Sequence, residues 1–158
     1  MCLLHVAQYR AGHKASPFHR KDSLSIQNNT EIILHTPRLT LRKLTQNDYA
    51  ALCAILQDPI TMTYYEHPFS GEEVQAFLQN QLRRYRQHGF GGWAATLKST
   101  SEMIGVCGLA WQAWLQKQVP EIGYIFRRDA WHNGYATEAA TACKQYAFNT
   151  LGFNEVYS

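Results

Sequence analysis

A single glycine separates two runs of residues whose patterns predict a strand and a helix. Residues 120–126 are typical of a β-strand, and residues 133–151 have the spacing of an amphipathic helix. The first turn of a helix has amide groups without intrahelical partners and a partial positive charge, so it attracts phosphate. Gly134 has no Cβ and lets a ligand approach the backbone there. We therefore predict a phosphate-bearing cofactor at residues 132–137.

This turn does not identify the ligand by itself, because a glycine often stands at such a position only to make the turn. A dinucleotide fingerprint requires three glycines, of which only Gly134 is present. A P-loop requires a Gly-Lys-Ser/Thr sequence, which does not follow Gly134. A nucleotide-binding module is therefore disfavoured.

The turn resembles motif A of the GNAT acyltransferases, whose pattern is Gln/Arg-x-x-Gly-x-Gly/Ala. Trp131, Gly134 and Ala136 occupy that pattern here. The whole string 131–139 is similar to the subgroup around the ribosomal-protein-alanine N-acetyltransferases, although His132 stands where that subgroup usually has Gly. Three further segments resemble the first, third and fourth strands of this subgroup in order and spacing, and they are residues 36–42, 104–108 and 121–124.

The resemblance covers about residues 32–158 and implies an α+β (α/β) fold with a mixed, mostly antiparallel central sheet flanked by helices. Family members normally continue beyond the fifth strand with a helix and two strands, which we expect to be missing here. Residues 31–158 would then be a C-terminally incomplete acyl-CoA-binding acetyltransferase domain. Residues 1–30 are basic and have few periodic apolar positions, so we expect a poorly structured N-terminal extension.

Local patterns predict the elements that position this turn. The alternation and the turn residues indicate strands, and the apolar spacing indicates one helix after Thr45, a second over residues 71–88 and a third over 133–151. The predicted strands are residues 32–34, 39–44, 93–97, 103–111, 121–126 and 153–157.

The resemblance also implies acetyl-CoA (coenzyme A) as co-substrate, without a metal. The fourth and fifth strands would splay apart, and the backbone of the fourth strand would pair with the pantetheine amides. The pyrophosphate would bind the amides of Asn133 through Thr137. Arg127, Arg128 and His132 could supplement the positive charge, and the alternative for the two arginines is exposed surface charge. The expected cofactor-binding residues are Ile125, Phe126, Arg127, His132, Asn133, Gly134, Tyr135, Ala136 and Thr137.

Acyl transfer in this family is direct attack by an amine on the thioester. Glu121, on the predicted fourth strand, is the candidate general base or water-positioning group, and the alternative is a carboxylate that only pairs with a neighbouring arginine. A protein α-amine has a reference pKa of about 7.7–8.0, against about 10.4 for lysine, so it needs less help from a base. This mildly favours a peptide N-terminus as acceptor, and a small-molecule amine stays open.

The leading hypothesis is therefore an N-acetyltransferase that acts on a primary amine. The alternative is a truncated, catalytically silent acyl-CoA-binding or interaction module, which an unfinished sheet would favour. A homodimer, in which a second copy completes the sheet, is one of the expected arrangements.

Composition limits the kinds of partner and the cellular location that we expect for this protein. The net charge of +3 comes from scattered Lys and Arg residues, which does not favour a nucleic-acid partner. No apolar run approaches transmembrane length, so no membrane partner is expected. The 4 cysteines show no paired spacing, which is typical of reduced thiols and favours a cytoplasmic location.

Overall fold

The computed structural model of the chain describes residues 9–10 and 31–158. The expectation of a poorly structured segment over residues 1–30 therefore falls outside the described residues, apart from a short strand. The helices are α1 (Tyr49–Leu56), α2 (Gly71–His88) and α3 (Tyr135–Asn149). The strands are β1 (Tyr9–Arg10), β2 (Ile32–His35), β3 (Leu39–Arg42), β4 (Gly92–Leu97), β5 (Met103–Trp114), β6 (Lys117–Phe126) and β7 (Glu155–Val156).

Five strands form one antiparallel sheet in the order β2-β3-β4-β5-β6. Next to β7, Tyr157 forms a parallel bridge with Glu121 of β6, and β1 pairs antiparallel with β7. The predicted mixed, mostly antiparallel sheet flanked by helices is thereby confirmed.

Helix α3 lies close against the sheet because the side chains it presents to the sheet are small. Ala139, Cys143 and Ala147 are fully buried, and the sulfur of Cys143 lies 3.5 Å from that of Cys107 in β5. Helix α3 thus holds its N-terminal turn in a fixed place relative to β5 and β6.

Helix α2 begins and ends where local signals predict. Ser70 and Glu73 form a reciprocal capping box at its start, and Gly89 adopts a left-handed conformation after its last turn. Its buried Gln81 accepts a hydrogen bond from the Gly92 amide, so α2 is fastened to the beginning of β4. Helix α2 thereby lies beside β4, and α3 packs against β5 and β6.

Candidate functional site

Strands β6 and β7 meet over only a short stretch. The Ile122 amide donates to the Tyr157 carbonyl at 2.7 Å, and the Tyr157 amide donates to the Pro120 carbonyl at 2.9 Å. Past Ile122, no described residue is hydrogen-bonded to this side of β6 as a further strand. The last four residues of β6 therefore present an outer edge to which an extended ligand can add as a strand.

The hydrogen bonds of β6 determine which amides lie on this edge. The Arg127 amide donates to the Ile104 carbonyl of β5 at 2.9 Å, so it faces the sheet. Backbone groups alternate along an antiparallel strand, so the amide of Ile125 also faces β5 and those of Tyr124 and Phe126 face outward. Of the three residues predicted to pair with pantetheine, only Phe126 has its amide on the open edge, and Tyr124 is a second residue whose amide lies there.

The turn between β6 and α3 is closed by its own polar groups. The Trp131 indole N–H donates to the Phe126 carbonyl at 2.6 Å, and Asn133 Nδ2 donates to the Trp131 carbonyl at 2.9 Å. His132 and Gly134 both have left-handed backbones, with φ values of 61° and 77°. His132 thus adopts the conformation that a glycine would adopt more readily, at a cost of about 1–2 kcal/mol.

Helix α3 begins directly after this turn, and its first backbone amides have no hydrogen-bond acceptor within the helix. The first α-helical bond runs from the Glu138 amide to the Gly134 carbonyl at 3.0 Å. The amides of Tyr135, Ala136 and Thr137 precede it and have no carbonyl one turn earlier to bind. Thr137 is exposed and so are residues 132–134, so an anion can reach this end of the helix.

A polar cluster joins the β2–β3 turn to this end of α3. The Glu138 carboxylate accepts hydrogen bonds from Thr36 Oγ1 at 2.5 Å, the Arg38 amide at 2.9 Å and Arg38 Nε at 2.7 Å. Arg38 Nη1 donates to the Asn133 carbonyl at 2.9 Å. We call Thr36, Arg38, Asn133 and Glu138 the Arg38 clamp.

The sequence patterns do not predict the Arg38 clamp, although Arg38 and Glu138 both lie in segments that resemble family motifs. Burial raises the pKa of Glu138, but the hydrogen bonds from Thr36 and Arg38 outweigh it and hold that pKa below its usual range. The Arg38 guanidinium also lies 4.4 Å from the centre of the Tyr135 ring. Glu138 is therefore a carboxylate at neutral pH, with its charge paired.

The positive charge of Arg127 is already matched by protein carboxylates. Its guanidinium lies 2.7 Å from Glu102 and 2.7 Å from Asp129. Neither its amide nor its charge is therefore directed at the open edge. Arg128 is exposed on the same turn, and its amide donates to Thr61 Oγ1 at 3.1 Å.

That hydrogen bond ties the loop between α1 and α2 to the turn before α3. The Thr61 side chain is buried, and its hydroxyl donates to Asp58 at 2.6 Å. Tyr64, a few residues further along, is 78% exposed. Thr61 thus anchors the loop next to the turn, and Tyr64 of the same loop is exposed to solvent.

Glu121 lies on β6 where β6 meets Tyr157. It is 8% exposed and borders a cavity between the end of the β5–β6 hairpin and Tyr157. Burial raises the pKa of Glu121, while Gln112 and the charge of Arg84 oppose that rise. Glu121 forms no ion pair within the described part of the chain. The side chains that line the cavity with it are Gln112, Ala113, Trp114, Val119, Tyr157 and Ser158.

Residues 31–158 hold no group of three His, Cys, Asp or Glu side chains arranged to bind a metal ion. The cysteines among them, Cys53, Cys107 and Cys143, are free thiols. None of the helices in the described part of the chain combines the length and apolar character of a membrane span.

Known proteins share both this sequence pattern and this architecture. Residues 38–158 match the family model described as an acetyltransferase (GNAT) domain. The uncharacterized protein YkkB of Bacillus subtilis (strain 168) is 37% identical over 129 residues, which cover 81% of this chain and 75% of YkkB. The uncharacterized N-acetyltransferase YoaA of the same organism is 30% identical over 126 residues, covering 78% of this chain and 71% of YoaA.

A solved structure agrees with these sequence matches. The acetyltransferase from Agrobacterium tumefaciens str. C58 superposes with a TM-score of 0.66 and is 28% identical, covering 85% of this chain and 75% of that one. The family match does not favour the alternative of a catalytically silent binding or interaction module. The chain belongs to the GNAT acetyltransferase family and is an acyltransferase.

Proposed function

We propose that this protein transfers the acetyl group of acetyl-CoA to a primary amine by direct attack of the amine on the thioester. The C–N bond of the amide forms, the C–S bond breaks and coenzyme A leaves as the thiolate. The observation that carries the proposal is the juxtaposition of two open rows of backbone groups. The outer edge of β6 ends at Phe126, and the amides at the start of α3 follow within one short turn. An extended amide chain that ends in a pyrophosphate matches this order of groups.

Two parts of coenzyme A, the pantetheine and the pyrophosphate, would have partners among the described residues. The amides of Tyr124 and Phe126 would bind the pantetheine as an added strand. The amides of residues 133–137 would bind the pyrophosphate, aided by the dipole of α3. His132 is exposed beside them and would add positive charge when protonated.

Glu121 is the proposed general base. Its carboxyl is buried and borders a cavity beside the place where β6 pairs with Tyr157. It would accept the proton of the attacking amine, directly or through one water, and burial keeps its basicity above that of an exposed carboxylate. An amide on the outer edge of β6 would donate to the developing oxyanion.

The acceptor is proposed as a primary amine on a peptide N-terminus or on a small molecule. An α-amine is the easier substrate because its reference pKa of about 7.7–8.0 leaves a sizeable neutral fraction near pH 7. We propose no nucleic-acid or membrane partner and a cytoplasmic location. A homodimer stays a prediction.

Calorimetric titration with acetyl-CoA tests the cofactor half of this proposal. We expect saturable 1:1 binding of acetyl-CoA. Pantetheine should bind more weakly than coenzyme A, because pantetheine lacks the pyrophosphate. Turnover of acetyl-CoA with a panel of peptide and small-molecule amines then tests transfer. A well-folded chain that binds acetyl-CoA but acetylates none of the amines would leave an acyl-CoA-binding module as the better description.

A further inference from the structure

The Arg38 clamp connects a surface turn to the backbone of the proposed pyrophosphate site. Arg38 donates to Glu138 from its amide and from Nε, and Nη1 donates to the Asn133 carbonyl. Its guanidinium lies against the Tyr135 ring. One side chain therefore holds residues on both sides of Gly134, which has a left-handed backbone with a φ of 77°.

The turn that carries Arg38 is itself fixed. Thr36 Oγ1 accepts from the Leu39 amide at 2.8 Å while it donates to Glu138. The Arg38 carbonyl accepts from the Lys98 amide at 2.9 Å, and the ammonium of Lys98 bonds the Thr36 carbonyl. The guanidinium thus extends from a turn that is hydrogen-bonded at both of its ends.

Two negative groups of the protein stand beside the proposed anion site. Glu138 is a carboxylate in the first turn of α3, where it interacts well with the helix dipole but would repel a phosphate. The Asn133 carbonyl is a second source of negative potential. Arg38 binds both groups, so its positive charge cancels the repulsion that they would otherwise exert.

We propose that Arg38 is a positioning residue for coenzyme A, which fixes the turn at residues 132–134 and neutralises Glu138 so that the turn accepts a pyrophosphate. This inference rests on the proposed function, since it concerns the same site. Loss of Arg38 and loss of the Glu138 charge should therefore have unequal effects on the binding of coenzyme A. Loss of Arg38 leaves an uncompensated carboxylate beside the ligand, whereas loss of the Glu138 charge leaves a cation there.

The test measures the dissociation constant of acetyl-CoA by calorimetry for Arg38→Gln, Glu138→Gln and the double variant. We expect Arg38→Gln to weaken binding about tenfold or more, as for loss of a charge-assisted interaction. Glu138→Gln should weaken it less, and the double variant should bind better than Arg38→Gln alone. Arg38→Lys should recover part of the loss, because it restores the charge but not the forked geometry.

Thermal unfolding of the same variants separates this role from a purely structural one. If the Arg38–Glu138 pair contributed only to folding, the double variant would bind acetyl-CoA most weakly, or the affinities would follow the thermal stabilities of the variants. Either result would overturn the proposal. Arg42→Gln is the matched control, since Arg42 forms a similar forked pair with Asp48 away from α3. It should lose stability and keep its affinity for acetyl-CoA.

Different results would reject the proposed function and the role of Arg38. Absence of acetyl-CoA binding by the folded wild-type chain would reject the proposed function, and the role of Arg38 with it. Wild-type binding with unchanged affinity in folded Arg38→Gln would reject only the role of Arg38.

Discussion

Replacement of Gly134 by valine addresses the proposed pyrophosphate site most directly. Gly134 has φ 77° and ψ 7°, a left-handed conformation that costs an ordinary residue about 1–2 kcal/mol and a β-branched residue more. A Cβ at this position would stand 3.5 Å from Arg38 Nη2, which is ordinary van der Waals contact. Backbone strain and the branched side chain, rather than a clash of the Cβ, are therefore the expected perturbation.

The expected effect on binding is larger than the effect on stability. A strained turn relaxes toward negative φ and redirects the amides of residues 135–137. Each charge-assisted hydrogen bond lost to a pyrophosphate costs about 1.5–3 kcal/mol, so one lost bond weakens binding about 10-fold to 150-fold. The strain itself lowers the melting temperature by about 2–4 °C for each kcal/mol in a chain of this size.

Calorimetry with acetyl-CoA, run beside thermal unfolding, measures both effects. Gly134→Asn is the matched control, because asparagine tolerates the left-handed conformation and is not β-branched. It should bind better than Gly134→Val. If a folded Gly134→Val protein bound acetyl-CoA as tightly as the wild type, the pyrophosphate would not lie at this turn.

Two other substitutions test separate parts of the site. Glu121→Gln should lower kcat about 100-fold or more and leave the affinity for acetyl-CoA nearly unchanged, as expected for loss of a general base. Burial raises the pKa of Glu121, so wild-type turnover should fall as the pH drops through that raised pKa. If Glu121→Gln showed the same fall in turnover at low pH, Glu121 would have no part in the mechanism. Trp131→Phe removes the indole donor from the Phe126 carbonyl and should destabilise the chain by about 1 kcal/mol, while unchanged stability in thermal unfolding would show that this bond contributes nothing.

Several elements follow from signals that lie within a few residues of one another. The apolar spacing of α2, the capping box at Ser70 and the glycine after its last turn all occur within residues 70–89, and the helix was predicted with the bounds that it has. The strand–turn–helix around Gly134 was predicted for the same reason. The motif at this turn also lies within one short string, and the family match bears out the resemblance.

The edge of β6 shows where local patterns stop being sufficient. Alternation along the sequence indicates a strand, but it does not say which amides face the neighbouring strand. The register is set by β5, through bonds such as that from the Arg127 amide to the Ile104 carbonyl. The outward amides are therefore those of Tyr124 and Phe126, one position away from two of the predicted residues.

The sequence by itself determined the family, the mostly antiparallel fold class and the position of the glycine turn before α3, because helix caps, apolar periodicity and a motif with one glycine are local properties. Only the tertiary structure decided which backbone groups stay open and what surrounds them. Arg38 and Glu138 are 100 positions apart, and Glu121 borders a cavity that Tyr157 helps to line. Such contacts depend on how strands pair and how α3 packs on the sheet, which no short stretch of sequence encodes.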